Sequence, residues 1–166
     1  KMRKSTIVET SVGRTKVINV TGATVGATAT TYVSGDLIGT KLTLTDACLE
    51  AGSEATLVSI TIADLDKQNQ PLDVVIFNAD PSGTTFTDDA ALTVADADLP
   101  KICGSASVIA TDYIDFVDNS VGTKTNIGLV CEAIGTDDLY ACVVSRGTGT
   151  YSVSGLSLIL TFYQDF

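Results

Sequence analysis

Pairs of carboxylates are the residues of this sequence best suited to chemistry. Paired carboxylates can act as a general acid and a general base, as they do in glycoside hydrolysis. Each pair, however, lies in a predicted turn, where Asp is common because its carboxylate accepts hydrogen bonds from nearby backbone N–H groups. We therefore favour a structural interpretation for all of them: Asp64 and Asp66, Asp88 and Asp89, Asp96 and Asp98, and Asp137 and Asp138.

Two residue types that often mark an active site are missing from the sequence, which has no His and no Trp. His is the commonest general base and a common metal ligand, so Ser-His-Asp and Cys-His arrangements are excluded. A glycosidase would also need aromatic platforms for sugars, and aromatic residues make up only 6% of the chain. We therefore predict that the protein is not an enzyme, and no catalytic residue is assigned.

Calcium would be a better use for these carboxylates, because it takes several oxygen ligands from loops. None of the four pairs continues into a DxDxDG loop. The Gly-rich segments 22–26 and 146–149 lack the Lys-Ser/Thr ending of a phosphate-binding loop, so turn glycines are the better interpretation. The sequence thus predicts no cofactor, no cofactor-binding residue and no metal ligand.

The charge of the chain is strongly negative, with a net value of −10. Such a chain is repelled by phosphate backbones, so direct binding to nucleic acid is not expected. Half of the ten basic residues nevertheless fall within the first sixteen positions. Two interpretations remain open, a solvated chain end or an arm that docks on an acidic partner. The residues are Lys1, Arg3, Lys4, Arg14 and Lys16.

The four cysteines, Cys48, Cys103, Cys131 and Cys142, have spacings that match no CxxC zinc or redox pattern. Because Cys131 and Cys142 lie in two strands that we expect to be neighbours, a cross-strand disulfide between them is conceivable. Free cysteines that act as small buried hydrophobic residues are favoured. The N-terminal residues show no signal-peptide pattern, and no apolar run approaches a membrane span, so we expect neither that route of export nor a membrane location.

Short alternating segments recur along the 166 residues, a length that fits one domain. They predict an all-β fold, an antiparallel β-sandwich of jelly-roll type with about eight to ten strands. One or two short helical turns are expected, the clearest over residues 46–52 with Asp46 as N-cap. In the C-terminal strand, one face carries Leu156, Leu158, Leu160 and Phe162, and the other carries Ile159 and Tyr163.

Two β-hairpins are predicted from strand pairs with polar turns between them. The first joins residues 58–63, with Val58, Ile60 and Ile62 on one face, to residues 72–77 through the turn 64–70. Residues 72–77 are apolar on both faces, which is typical of a central strand. The second hairpin joins residues 127–134 to residues 139–144.

Several segments resemble small virion structural proteins of tailed bacteriophages, and the similarity covers about residues 31–162. The resemblance implies an auxiliary capsid protein, of the cement or decoration type, that binds the outside of the capsid and stabilises it. The implied partners are the major capsid protein and further copies in a homotrimer, and the implied location is the capsid surface after synthesis in the host cytoplasm. The segments are residues 32–39, 60–68, 75–77, 81, 84–88 and 91–98.

The resemblance does not extend to the first thirty residues, and a domain division is expected there. Residues 1–30 are interpreted as a basic, Gly/Thr-rich arm that docks on the capsid or on another subunit, and residues 31–166 as the β-sandwich. Residues 21–31, rich in Gly, Ala and Thr, are expected to be a mobile connection because few of their side chains could anchor a core. Two other classes stay open. One is a head-fibre or tail-associated module that binds a receptor or a carbohydrate, with Ca²⁺ or sugar at the acidic loops; the other is a surface-layer or pilus-like subunit.

Overall fold

Antiparallel strands dominate the computed structural model, which describes residues 13–165. The described residues contain twelve strands, one short helix and two 3₁₀ turns. None of the helices in this range is both long enough and apolar enough to span a membrane. The elements are β1 (Arg14–Val20), α1 (Gly22–Val25), β2 (Thr30–Tyr32), β3 (Leu37–Leu44), β4 (Glu54–Asp64), β5 (Leu72–Phe77), a 3₁₀ turn (Leu99–Lys101), β6 (Ile102–Val108), a second 3₁₀ turn (Ala110–Asp112), β7 (Tyr113–Asp115), β8 (Ser120–Lys124), β9 (Leu129–Glu132), β10 (Leu139–Ser145), β11 (Gly149–Tyr151) and β12 (Leu156–Gln164).

Two sheets enclose the main core. One has six strands in the order β1-β12-β4-β8-β7, with β9 also paired to β4, and the other has four in the order β3-β10-β5-β6. Side chains from both inner faces, such as Ile60 and Leu158 opposite Val74 and Val143, belong to one buried cluster. The predicted class, an all-β antiparallel β-sandwich, is confirmed. Strands beyond the expected number include the three-residue strands β2 and β11, which are too short to show an alternating pattern.

The first predicted hairpin is wrong, because β4 and β5 lie in different sheets. Residues 64–70 instead form an arch that carries the chain from one sheet to the other. Asp64, fully buried at the start of the arch, accepts hydrogen bonds from the backbone N–H groups of Asp66 (3.0 Å), Gln68 (2.7 Å) and Asn69 (2.9 Å). A polar turn rich in Asp satisfies its backbone in either geometry, so the sequence pattern did not distinguish an arch from a hairpin.

The second predicted hairpin is also wrong. β9 pairs with β4, whereas β10 lies between β3 and β5 in the opposite sheet. As a result Cys131 and Cys142 belong to different sheets, and both are free thiols. The conceivable disulfide between them is therefore not formed, and the expectation of free cysteines is the one that agrees with the structure.

Because β4 contains a β-bulge, Val58 does not lie on the same face as Ile60 and Ile62, although the alternation predicted that it would. The register between β4 and β12 shifts where Thr161 pairs with Ser59 and Phe162 pairs with Leu57, which leaves Val58 as the extra residue. Leu57 is consequently fully buried, while Val58 is 37% exposed. Ile60 and Ile62 face the core as predicted, and β12 buries Leu156, Leu158, Leu160 and Phe162.

The sandwich begins earlier than residue 31. β1 pairs with β12 over its whole length, with Lys16 opposite Phe162 and Val20 opposite Leu158. Residues 13–30 of the predicted arm therefore include a strand of the six-stranded sheet, and residues 1–12 lie outside the described residues. The segment 21–31 also anchors the core, because α1 places Val25 in a fully buried position.

Gly39 and Asp46 both have backbone conformations with positive φ. Gly39 has φ +77°, and a Cβ built there would lie 1.6 Å from the carbonyl oxygen of Val25, so only glycine lets β3 pass this close to α1. The predicted helical turn over 46–52 is absent, since Asp46 has φ +52° and the segment forms turns and bends. Asp46 is therefore not an N-cap.

Replacing Asp64 by Ala tests the importance of the arch. The change leaves three backbone N–H donors without their buried acceptor, and we expect it to lower the free energy of unfolding by about 3 kcal/mol. Asp118→Ala removes the same charge from an exposed position and is the matched control, with an expected change within about 0.5 kcal/mol. Urea denaturation followed by circular dichroism measures both, and equal effects would contradict the role given to Asp64.

Candidate interaction surface

The surface of the six-stranded sheet that points away from the core is open to solvent. Strand register sets it, because side chains of alternate residues point to opposite faces and each outward residue is paired with an outward residue on the next strand. Tyr163, for example, lies beside Thr15 on one side and Thr56 on the other. We call this surface the outer face; its residues are Thr15, Val17, Asn19, Thr56, Val58, Ser59, Thr61, Ala63, Ile114, Val121, Thr123, Val130, Ser157, Ile159, Thr161 and Tyr163.

The outer face exposes several large hydrophobic side chains among Ser, Thr and Asn residues. The prediction that Ile159 and Tyr163 point away from the core is correct, with exposed fractions of 41% and 44%. Four more large hydrophobic side chains on this face are exposed, by fractions between 37% and 68%: Val17 (51%), Val58 (37%), Ile114 (68%) and Val130 (52%).

Charged residues on this side of the sheet are confined to one end. Alternation adds Glu54 and Glu132, which pair with each other, to the outer face beside Thr56 and Val130, and both are exposed. No other Asp, Glu, Lys or Arg lies on this face by the strand register of the described residues, although the whole chain carries 20 acidic and ten basic residues. The larger part of the outer face is thus uncharged, and one end of it carries two carboxylates.

The other sheet contrasts with this arrangement because both of its faces are covered. On the side away from the main core, Leu37, Phe77, Cys142 and Val144 form a second buried cluster. The segment between β5 and β6 lies over them and contributes Phe86, Leu92 and Val94. Among the described residues, the outer face of the six-stranded sheet has no comparable cover.

The segment that covers the four-stranded sheet is held by a small polar network. The hydroxyl of Thr84 donates to the buried carboxylate of Asp98 at 2.8 Å, and Lys101 Nζ donates to the same carboxylate at 2.7 Å. The hydrogen bond from Lys101 lowers the pKa of the Asp98 carboxyl, against the opposing effect of burial. Asp98 therefore holds the covering segment in place in its ionised form, as a carboxylate.

A second exposed apolar patch lies at the turn between β7 and β8. Phe116 and Val117 are exposed by 55% and 89% and stand next to each other at this turn. The arch supports the turn, since Lys67 Nζ donates to the carbonyl of Phe116 at 2.7 Å and Asn69 donates to Asp115 at 2.6 Å. We call Phe116 and Val117 the tip.

Three of the four acidic pairs are used to hold loops together. Besides Asp64, Asp66 accepts from the backbone N–H and the hydroxyl of Ser152. Asp88 accepts from the hydroxyls of Thr28 and Tyr32 and from the N–H of Gly39, and Asp89 accepts from Thr30. These contacts fit the structural interpretation of the pairs. In the pair Asp96 and Asp98, only Asp98 has a recorded partner.

The fourth pair lies beside a carboxylate that the sequence did not connect to it. Oxygen atoms of Asp46, Asp137 and Asp138 lie within 4.8 Å of one another, the only such group among the described residues. Asp138 already accepts the backbone N–H of Asp46 at 3.0 Å, and Asp46 pairs with Lys16 Nζ at 3.3 Å. The sequence did not reveal this convergence, because Asp46 was predicted to be a helix cap and 90 residues separate it from Asp137.

Two shallow clefts of about 310 and 390 Å³ lie in the described part of the chain. The smaller is formed by Leu37 and by residues of the covering segment between 85 and 93. The larger lies along β1 beside Thr24, Thr43 and Asp46. Neither cleft brings a nucleophile together with a general base, so the outer face and the tip are the better candidates for a functional surface.

A pair of substitutions in β12 tests whether the outer face is a surface of the monomer. Ile159→Lys places a charge on an exposed position, and we expect the free energy of unfolding to change by no more than about 0.5 kcal/mol. Leu160→Ala, one residue along, empties a fully buried position and should cost about 3 kcal/mol. Thermal and urea denaturation at a low protein concentration measure both, and a large loss for Ile159→Lys would show that this face is part of the core.

Comparison with known proteins gives no family, since neither a family model nor a curated protein matches the chain. Among solved structures, it is similar to a chain of the cyanophage Pam1 capsid asymmetric unit, with 12% identity over 99% of this chain and 94% of that chain and a TM-score of 0.33. It is also similar to a chain of infectious bursal disease virus Gx strain, with 11% identity over 93% of this chain and 33% of that chain and a TM-score of 0.39. A chain of Desmodium yellow mottle tymovirus is 10% identical over 100% of this chain and 88% of that chain, with a TM-score of 0.30. The chain thus spans about a third (33%) of the bursal disease virus chain. All three structures come from viruses, but TM-scores below 0.5 assign neither a family nor a function.

Proposed function

We propose that the protein is a non-enzymatic structural protein of a virus particle, an auxiliary cement or decoration protein that binds the outside of a phage capsid as a homotrimer. The observation that carries the proposal is the outer face, on which a chain with a net charge of −10 has charged residues only at one end, Glu54 and Glu132. A broad surface with exposed hydrophobic side chains and few charges fits a protein that works by making contacts.

Charge determines where two copies can meet. Copies with the same strong negative charge repel each other, and burying an unpaired carboxylate is costly. Away from the end that carries Glu54 and Glu132, the outer face avoids both penalties because it has no Asp, Glu, Lys or Arg side chain. Five strands at about 4.8 Å spacing and a nine-residue β12 give a footprint of about 700 Å², close to the roughly 800 Å² that each partner buries in a standard interface.

A closed trimer needs two different contact patches on each copy, because the contact between neighbouring copies is heterologous. The outer face and the tip provide two such patches. In the proposed trimer, Phe116 and Val117 of one copy pack on the outer face of the next, near Ile159 and Tyr163.

The basic residues at the start of the chain suit the contact with the capsid. Residues 1–12 contain Lys1, Arg3, Lys4 and Glu9, whereas residues 13–166 contain seven basic and 19 acidic residues. The proposed partner of this segment is an acidic surface of the major capsid protein. Bridging of neighbouring capsid subunits would then add buried interface area and resist the pressure of packaged DNA.

The trimer can be tested by light scattering on the purified full chain. We expect particles of three times 17.2 kDa for the unmodified protein and 17.2 kDa particles for either Ile159→Lys or Val117→Lys. Thr150→Lys, at an exposed position of β11, which pairs with β2 outside the six-stranded sheet, is the control and should leave the trimer intact. A monomeric unmodified chain would overturn the constitutive trimer.

Mixing the two defective variants separates a heterologous contact from a face-to-face one. An Ile159→Lys copy keeps its tip and a Val117→Lys copy keeps its outer face, so one intact contact can form between them. We therefore expect the mixture to associate although each variant alone does not. Failure of the mixture to associate would contradict packing of the tip on the outer face.

Binding to preformed capsids tests the decoration role. Deletion of residues 1–12 leaves β1 whole and should lower occupancy on capsids if the basic segment docks there, while light scattering still shows a trimer. Unchanged occupancy would eliminate the docking role of the segment alone. Copy number in a particle reconstruction tests the wider proposal, since hundreds of copies fit a capsid protein and a handful fit a head-fibre or tail-associated receptor-binding module.

A further inference from the structure

Three of the four cysteines gather where the two sheets approach each other. Cys103 lies in β6, an edge strand of the four-stranded sheet, and Cys131 lies in β9, which pairs with β4 in the six-stranded sheet. Cys131 and Cys48 are buried in the main core, and Cys103 packs against the same cluster. Cys142 is in the separate cluster with Leu37 and Phe77.

The side chains of Cys103 and Cys131 lie close enough to interact, and the interaction lowers the pKa of Cys103 and raises that of Cys131. The two strands also lie side by side, with Cα atoms of β6 and β9 within 8 Å of each other. A Cβ built on Gly104, next to Cys103, would lie 2.8 Å from side-chain atom Cδ1 of Leu129, two residues before Cys131. Close strands and adjacent thiols are the geometric conditions for a disulfide.

We propose that Cys103 and Cys131 form a redox-dependent disulfide that covalently joins the two sheets of the sandwich. The inference does not depend on the proposed role in a capsid. It goes beyond the pairing suggested by the sequence, which connected Cys131 to Cys142 instead.

The surroundings of the two sulfurs assign their roles. The hydrogen bond from Cys131 lowers the pKa of the Cys103 thiol, and Cys103 is only half-buried, so it is the accessible nucleophile. Burial and donation to Cys103 raise the pKa of Cys131, which keeps its proton until Cys103 has reacted. Burial raises the pKa of Cys48 to about 11 and that of Cys142 to about 12, so both are poor competitors.

The oxidant in the proposed reaction is a small-molecule disulfide such as oxidised glutathione. The Cys103 thiolate attacks one sulfur of the oxidant, forming a mixed disulfide and releasing the first small thiolate. Cys131 then loses its proton and attacks Sγ of Cys103, which releases the second small thiolate. The two protein thiols give up two electrons and two protons, and one small disulfide becomes two thiols.

The test is to incubate the reduced, folded full chain with oxidised glutathione at pH 8, block the remaining thiols and map the disulfides by mass spectrometry. Trypsin alone leaves Cys131 and Cys142 in one peptide, because no Lys or Arg lies between them. Additional cleavage after Glu132 separates them. We expect peptide 102–124 joined to peptide 125–132, two hydrogens lighter than their sum.

Variants and stability provide the controls. Cys142→Ser should retain the linked peptides, whereas Cys103→Ser and Cys131→Ser should lose them. Oxidation should raise the Tm of the unmodified chain and of Cys142→Ser, because the cross-link restricts the unfolded chain, and should not raise that of Cys103→Ser. Circular dichroism shows whether each variant is folded, and the mapping of the unmodified chain needs no variant.

Three results would overturn the proposal. The first is a folded chain in which all four thiols remain free, and the second is a reaction that stops at a glutathione adduct on Cys103. The third is a link that joins other cysteines or that forms only after unfolding in urea.

Discussion

The arch built on Asp64 is the contact on which much of the remaining structure depends. Its buried carboxylate turns the chain from the six-stranded sheet into the four-stranded sheet by accepting three backbone N–H groups. Polar side chains of the same arch also accept hydrogen bonds from another loop. Gln68 accepts from the N–H of Thr150 and Gln70 from that of Thr148, which positions the chain just before β12. The arch also supports the tip through Lys67.

The two sheets differ in how completely they are covered. The segment between β5 and β6, fastened by Thr84, Asp98 and Lys101, covers the four-stranded sheet and buries Phe77 and Val144. The six-stranded sheet has no such segment among the described residues, and its exposed face carries charge only at one end, at Glu54 and Glu132. Because a protein with a net charge of −10 gains solubility from its charges, a broad area with so few of them is a feature with a functional meaning. The proposed subunit contact uses this asymmetry.

The cysteines illustrate how the same sandwich can support a second property. Strand pairing places β6 and β9 at neighbouring edges of opposite sheets, and the thiols of Cys103 and Cys131 meet there. Cys142, in β10, is in a fully buried position on the other side of the four-stranded sheet. The sequence made a pair of residues 131 and 142 conceivable only because the two strands containing them were expected to form a hairpin, and free cysteines were favoured.

The sequence by itself determined the strand content, the inward face of β12, the central position of β5 and the structural use of most of the acidic pairs. These features follow from alternation and turn chemistry, which are local. The tertiary structure decided which strands share a sheet: β4 and β5 do not pair, and neither do β9 and β10. It also decided that β1 belongs to the sandwich and that Asp46 meets Asp137 and Asp138. The physical reason is that a polar turn satisfies its backbone equally well in a hairpin or an arch, so the choice depends on which distant strands bury the two apolar faces.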